Sequence, residues 1–308
     1  MSTHTGGGPH PAESTHCAYP RPSTGASNPH WTPEAAESGH PNRDHDAVDT
    51  DNDAVNALRL TWRAFAGATW RNMLRLRRNT ASLVSAFVIP GLFMLSFWSV
   101  FGHAAANTGF DYALFLLGAC MVQAVMFTAG GSAGALAVDM ENGLLSRMRA
   151  MPITALVAVG GRLATDLIRS LCSLATVTAL ALLCGAEPDG LSGLLLGFGV
   201  VLLVGEVLSL AFCGIALRSS HPVQTAGLLQ TIEMPLLVFS TAFIPVAMLP
   251  DWLGPIVEHL PFSPLIDTTR ALLAGTNPGA AGWEAFAWLS AGLLLGSLWV
   301  ANAFRRQP

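Results

Sequence analysis

YALFLLGACMVQAVMFTAGGSAGALAV, residues 112–138, runs for 27 positions without a charged side chain. A helix needs about 20 apolar residues to cross the hydrocarbon core of a bilayer, so this stretch is long enough for one membrane span. The composition of the whole chain agrees, since 51% of its 308 residues are hydrophobic and only 12% are charged. Soluble domains carry about a quarter charged residues. The sequence therefore predicts an integral membrane protein.

Similar stretches on both sides of this one predict an all-α domain over residues 53–306 with six transmembrane helices. The predicted spans are 83–102, 112–138, 161–184, 191–217, 223–243 and 284–304. Residues 1–52 are rich in Pro, Gly, Ser, Thr and His and cannot bury enough apolar surface to offset their ordering entropy. They are predicted to be a disordered tail. Its histidines are irregularly spaced, so no metal site is predicted and the role of the tail stays open.

The segment before the first span predicts a helix at the membrane surface. Over residues 53–78 the apolar side chains fall on one helical face and most arginines fall on the opposite arc. Such a basic amphipathic helix suits the anionic cytoplasmic leaflet. The remaining arginines lie almost entirely in loops on the same side, and Arg270 is the single one in an opposite loop. The positive-inside rule then predicts a multi-pass protein of the cell membrane with both termini in the cytoplasm.

The chain contains no lysine, because all 16 basic residues are arginine. A phosphate-binding P-loop and Schiff-base chemistry both need a lysine amine. No H-E-x-x-H sequence occurs either. We therefore predict no catalytic residues, no bound cofactor and no ATPase activity in this chain.

Residues 139–152, DMENGLLSRMRAMP, form a charged cytoplasmic segment between the second and third predicted spans. We predict a short helix that ends at Pro152. Its leucines would pack under the membrane domain, while Glu141, Arg147 and Arg149 would project towards a partner protein.

Residues 244–275 form an outer segment that is too apolar and too rich in proline for a solvated loop. The prolines divide it into short helices, and irregular backbone at membrane depth is tolerated only where it is buried or lines a cavity. Asp267 and Arg270 stand three residues apart, so they are predicted to pair on one helix.

These two segments resemble those of the ABC-2 membrane family of export permeases, and the resemblance extends over about residues 55–306. The first follows the family pattern at Asp139, Glu141, Gly143, Leu145 and Pro152, and its R-x-R-A-M-P ending is similar to the daunorubicin-resistance branch. The second follows it at Phe243, Pro245, Leu249, Pro250, Trp252, Leu253, Asp267, Arg270 and Gly275.

The resemblance implies a function that depends on partner proteins. It implies a dimer, either with itself or with a sister permease, and two copies of a separate ATPase that bind ATP and magnesium. Each ATPase would dock on the coupling helix 139–152 through Asp139, Glu141, Gly143, Arg147, Arg149 and Pro152. The outer segment would form re-entrant half-helices that gate the path through Pro245, Pro250, Trp252, Asp267 and Arg270. Membrane lipids are expected contacts, and nucleic acid is not.

Charged residues inside the predicted spans have two interpretations. Glu206 and Glu233 are candidates for a substrate path because an acid within the membrane is costly. Either could instead be a structural group at a helix interface, and this interpretation is favoured for Glu206. Arg162, Asp166 and Arg169 are spaced for ion pairs along one helix, and we predict such a local ladder.

The predicted function is ATP-dependent export of a hydrophobic drug, natural product or complex lipid. The alternative is an ion- or proton-coupled secondary transporter, but such proteins commonly show two related halves and this sequence shows no such repeat. The sequence does not name the substrate, because apolar walls discriminate weakly between apolar molecules.

Overall fold

The structure, a computed structural model, describes Asn56, Arg59 and residues 62–74, 80–106, 110–143, 155–243 and 249–305. Every regular element in these ranges is an α-helix, which confirms the all-α prediction for this part of the chain. The predicted tail, both ends of the predicted surface helix, and residues 144–154 and 244–248 lie outside the described residues.

We number the helices in chain order. They are α1 (62–74), α2 (Thr80–Ala106), α3 (Tyr112–Glu141), α4 (Ala155–Leu183), α5 (Gly190–Arg218), α6 (Pro222–Val238), α7 (Gly254–Glu258), α8 (Phe262–Leu273) and α9 (Gly279–Arg305).

Helix α3 lies at the centre and contacts α2, α4, α5, α6 and α8. It begins after Asp111, whose carboxylate accepts a hydrogen bond from the backbone N–H of Leu114 at 2.8 Å. In the most apolar stretch of 18 residues of α3, 89% is buried inside the protein, whereas in the corresponding stretch of α9 only 17% is buried. A helix enclosed on every side must be apolar around its whole circumference, which explains why residues 112–138 carry no charge.

Four described helices are long and apolar enough to cross a membrane: α3, α4, α5 and α9. The apolar part of α2, Phe87–His103, is shorter. Helix α6 has 17 residues and ends at Val238, before the predicted end of the fifth span at residue 243. Pro235 lies inside α6, and the chain then leaves the helix in a turn. Six spans therefore remain a prediction.

Helix α1 packs on the beginning of α4. Phe65 lies against Gly160, and Gly161 leaves room for Ala68. Trp62 and Trp70 are 68% and 67% exposed, so both indole rings are free to contact a membrane surface.

Candidate coupling and translocation sites

The C-terminal end of α3 is a defined helix terminus from which the predicted coupling segment departs. Gly143 has a φ of 69°, in the left-handed region that favours glycine. Its N–H donates to the carbonyl of Met140 at 3.0 Å, and the N–H of Asn142 donates to Val138 at 3.0 Å. The glycine of the E-x-G pattern thus turns the chain out of α3 just after the exposed Glu141. Arg147, Arg149 and Pro152 lie outside the described residues.

We expect Gly143→Ala to destabilise the protein by about 1–2 kcal/mol, because alanine is strained at positive φ. Gly134→Ala is the matched control within α3, where an added Cβ would meet nothing within 4 Å. There alanine should be neutral or stabilising by about 0.5–1 kcal/mol. Thermal unfolding of the two purified variants checks this, and equal melting temperatures would contradict it.

Asp139 and Arg162 form a buried ion pair between the last turn of α3 and the first half of α4. The Arg162 guanidinium lies 2.8 Å from Oδ2 of Asp139, and their side chains are 11% and 9% exposed. Arg162 also donates to the carbonyl of Ser132 at 2.8 Å. The pair therefore joins α3 to α4 close to the predicted coupling segment, which connects these two helices into a hairpin.

The two arginines of the predicted ladder on α4 also contact α3, and Asp166 lies within electrostatic range of both of them. Arg162 pairs with Asp139 of α3, and Arg169 donates to the α3 carbonyls of Phe127 and Thr128 at 3.1 and 2.9 Å. A side chain at Gly131 would collide with the Arg169 guanidinium, so this glycine permits the approach. Both arginines fasten α4 to α3, and the two helices are held together along the C-terminal half of α3.

Near the N-terminal end of α3, which is predicted to face outward, Arg270 of α8 holds three parts of the chain together. It donates to the carbonyl of Phe115 on α3 at 2.9 Å, and to those of Thr241 and Ala242 after α6 at 2.8 and 2.5 Å. It also pairs with Asp267 at 3.1 Å, which confirms the predicted pairing. Its guanidinium carbon lies 3.5 Å from the centre of the Phe115 ring, in cation–π geometry. We call Arg270, Asp267, Thr241 and Phe115 the outer hub.

Two features of the surroundings allow Arg270 to bind here: its carboxylate partner is held in place, and a glycine leaves room for its side chain. Thr241 donates its hydroxyl to Asp267 at 3.1 Å, so the carboxylate has two donors. Burial raises the pKa of Asp267 above its ordinary value, and the charge of Arg270 opposes that rise. Gly118 leaves room for the arginine, since an added Cβ would lie 2.8 Å from its Cγ. Sequence reasoning missed Thr241, and its hydroxyl near the end of the predicted fifth span was the available signal.

The other predicted gate residues lie differently. Pro250 is exposed and Trp252 is 71% exposed. Helices α7 and α8 have 5 and 12 residues, which fits the predicted division of this segment into short helices. Pro245 lies outside the described residues.

The two predicted intramembrane acids occupy separate places. Glu206 on α5 is half-buried and lies within electrostatic range of Asp166 on α4. Glu233 on α6 is 5% exposed and lines a cavity of about 10 Å³ between α3 and α6. Gln123 of α3 lines the same cavity. Sequence reasoning missed Gln123, although an amide within 27 uncharged residues was a visible signal.

Comparison with known proteins identifies the family. The model of the ABC-2 type transporter family matches residues 63–274, well over half of the chain. The chain belongs to this family. The match includes the Asp139–Arg162 pair, the Glu233 cavity and the outer hub of this ABC-2 chain.

Curated relatives give the same result. The daunorubicin resistance ABC transporter permease protein DrrB1 of Streptomyces coeruleorubidus is 30% identical over 208 residues, which are 67% of this chain and 74% of the relative. The probable doxorubicin resistance permease DrrC of Mycobacterium tuberculosis is 25% identical over 71% of this chain and 80% of its own length. The putative transport permease ycf38 of Pyropia yezoensis is 25% identical over 67% of this chain and 72% of its own length. The chain is thus similar to permeases of drug-resistance ABC transporters.

Proposed function

We propose that this chain is the membrane permease subunit of an ATP-binding cassette exporter that moves a hydrophobic drug, natural product or complex lipid out of the cytoplasm. The observation that carries the proposal is family membership across the length that contains the α3–α4 hairpin and the outer hub. Two relatives are named for resistance to daunorubicin and doxorubicin, which supports a drug-like cargo. A secondary transporter is not favoured, because these relatives are named as ABC permeases.

In the proposed assembly the chain crosses the cell membrane six times with both termini in the cytoplasm. It pairs with a second copy or with a sister permease, and two ATPase subunits bind ATP and magnesium. The permease itself hydrolyses nothing. This division of labour agrees with the absence of lysine, since a P-loop cannot be built from this sequence.

The contacts of α3 and α4 suggest how movement would be transmitted. An ATPase that pushes on the segment after Gly143 would move the inner ends of both helices. Because Arg162 and Arg169 fasten α4 to α3, the two helices would move as one unit. Packed helices shift between discrete arrangements rather than deform continuously. The outer hub, in which Arg270 ties α3 to α8 and to the segment after α6, would be the fixed end of this movement.

The test is affinity purification of the tagged chain from its native membrane in mild detergent. We expect a stoichiometric ATPase with the native chain, and about tenfold less with Glu141→Arg, since one reversed contact charge costs about 1.4 kcal/mol or more. Folding should be unchanged, because Glu141 is exposed. In whole transporters this variant should uncouple ATP hydrolysis from export.

The matched control is Glu187→Arg, which reverses an exposed acid in the turn between α4 and α5 at the opposite end of the bundle. It should retain the ATPase. If the intact native chain carries no ATPase, the proposal fails, and ion- or proton-coupled transport through Glu206 and Glu233 becomes the function to test.

A further inference from the structure

The cavity between α3 and α6 contains two buried oxygen atoms that lack hydrogen-bond donors. Oε1 of Gln123 and Oε1 of Glu233 have no partner among the described residues, and the two side chains are 1% and 5% exposed. The Gln123 amide nitrogen is engaged with the sulfur of Met234 at 3.9 Å, which leaves the amide oxygen as the available atom. A buried acceptor without a donor is costly, so this pair of oxygens requires a donor group.

The remaining walls of the cavity define what kind of donor fits. Met126, Phe127, Met234 and Leu237 complete the lining, and no basic side chain is among them. The volume of about 10 Å³ accommodates one small polar group such as a water molecule or an ammonium group. Two flexible methionines can adjust to an apolar chain attached to that group.

We propose that Gln123 and Glu233 form a binding site for the primary ammonium group of an exported amphiphile. This proposal rests on the proposed function and names a substrate class for it. An ammonium group carries three N–H donors and a positive charge, which complement two oxygen acceptors and an acid. The apolar body of the substrate extends out of the small cavity past Met234, the half-buried member of its lining. A quaternary ammonium has no N–H donor and is too large for the cavity.

The experiment measures binding of tritiated octylamine to the full chain in lipid nanodiscs, with empty nanodiscs as the background. Unlabelled octylamine should compete at least tenfold better than octanol, which has no charge, and better than octyltrimethylammonium, which has no N–H donor. Glu233→Gln and Gln123→Leu should each weaken octylamine binding by about tenfold or more. The matched controls Glu187→Gln and Gln224→Leu change exposed residues outside the cavity and should bind as the native chain does.

The competition series uses only the native chain, so it tests the ammonium site even if Glu233→Gln fails to fold. Equal competition by octylamine, octanol and octyltrimethylammonium would overturn the proposal and leave the cavity to a structural water. Saturable octylamine binding that survives both cavity variants would overturn it as well. Recovery of the ATPase with the native chain is measured separately, so loss of the amine site would leave the exporter function standing.

Discussion

Arg270→Met is expected to lower the free energy of unfolding by about 3 kcal/mol or more, because three carbonyls lose their donor and each costs about 1–3 kcal/mol when left unpaired. The substitution keeps an unbranched apolar stem but removes every donor of the outer hub. The carbonyls of Phe115, Thr241 and Ala242 then lose their donor at once, and Asp267 loses its counter-charge. Thermal and denaturant unfolding in detergent would measure the loss.

Two further variants make this expectation specific. Arg270→Lys keeps the charge but cannot reproduce the planar fork, so it should recover only part of the stability. Arg218→Met removes an exposed arginine at the end of α5 and should cost less than about 0.5 kcal/mol. If Arg270→Met and Arg218→Met unfold alike, the hub does not hold the outer end together.

Breaking the Asp139–Arg162 pair should be nearly as damaging, with Arg162→Gln costing about 3–5 kcal/mol because a buried carboxylate loses its cation. Asp139→Asn should cost less, because Arg162 keeps the carbonyl of Ser132 as an acceptor. The double variant should fall short of the sum of the single ones by about 1–3 kcal/mol, as expected for residues in direct contact.

A second measurement addresses transmission. In the reconstituted transporter, the ratio of substrate exported to ATP hydrolysed should fall in Arg162→Gln even at temperatures where the variant is fully folded. The proposal for this pair fails if the losses of stability in the two single variants simply add in the double variant and the transport ratio is unchanged. The pair would then neither stabilise the hairpin by direct contact nor transmit movement.

The features that the sequence predicted correctly are local ones. The all-helical class follows from long apolar segments, and the Asp267–Arg270 pair follows from a spacing of three residues on one helix. The same local rule could not give Asp139 as the partner of Arg162, because Asp139 lies 23 positions away on another helix. A rule about neighbours on one helix also cannot predict that Gln123 of α3 and Glu233 of α6 line the same cavity.

The helical class of this chain, its apolar composition and its lack of a P-loop lysine all follow from the amino-acid sequence. Hydropathy and residue type are properties of a segment alone, so they can be read without knowing its neighbours. The partner of each buried charge or amide, in contrast, follows from the packing of the helices. A charge in an apolar environment must find a partner, but its identity depends on how all the helices are rotated against one another. The Asp139–Arg162 pair, the outer hub and the Gln123–Glu233 cavity are therefore properties of the packed bundle.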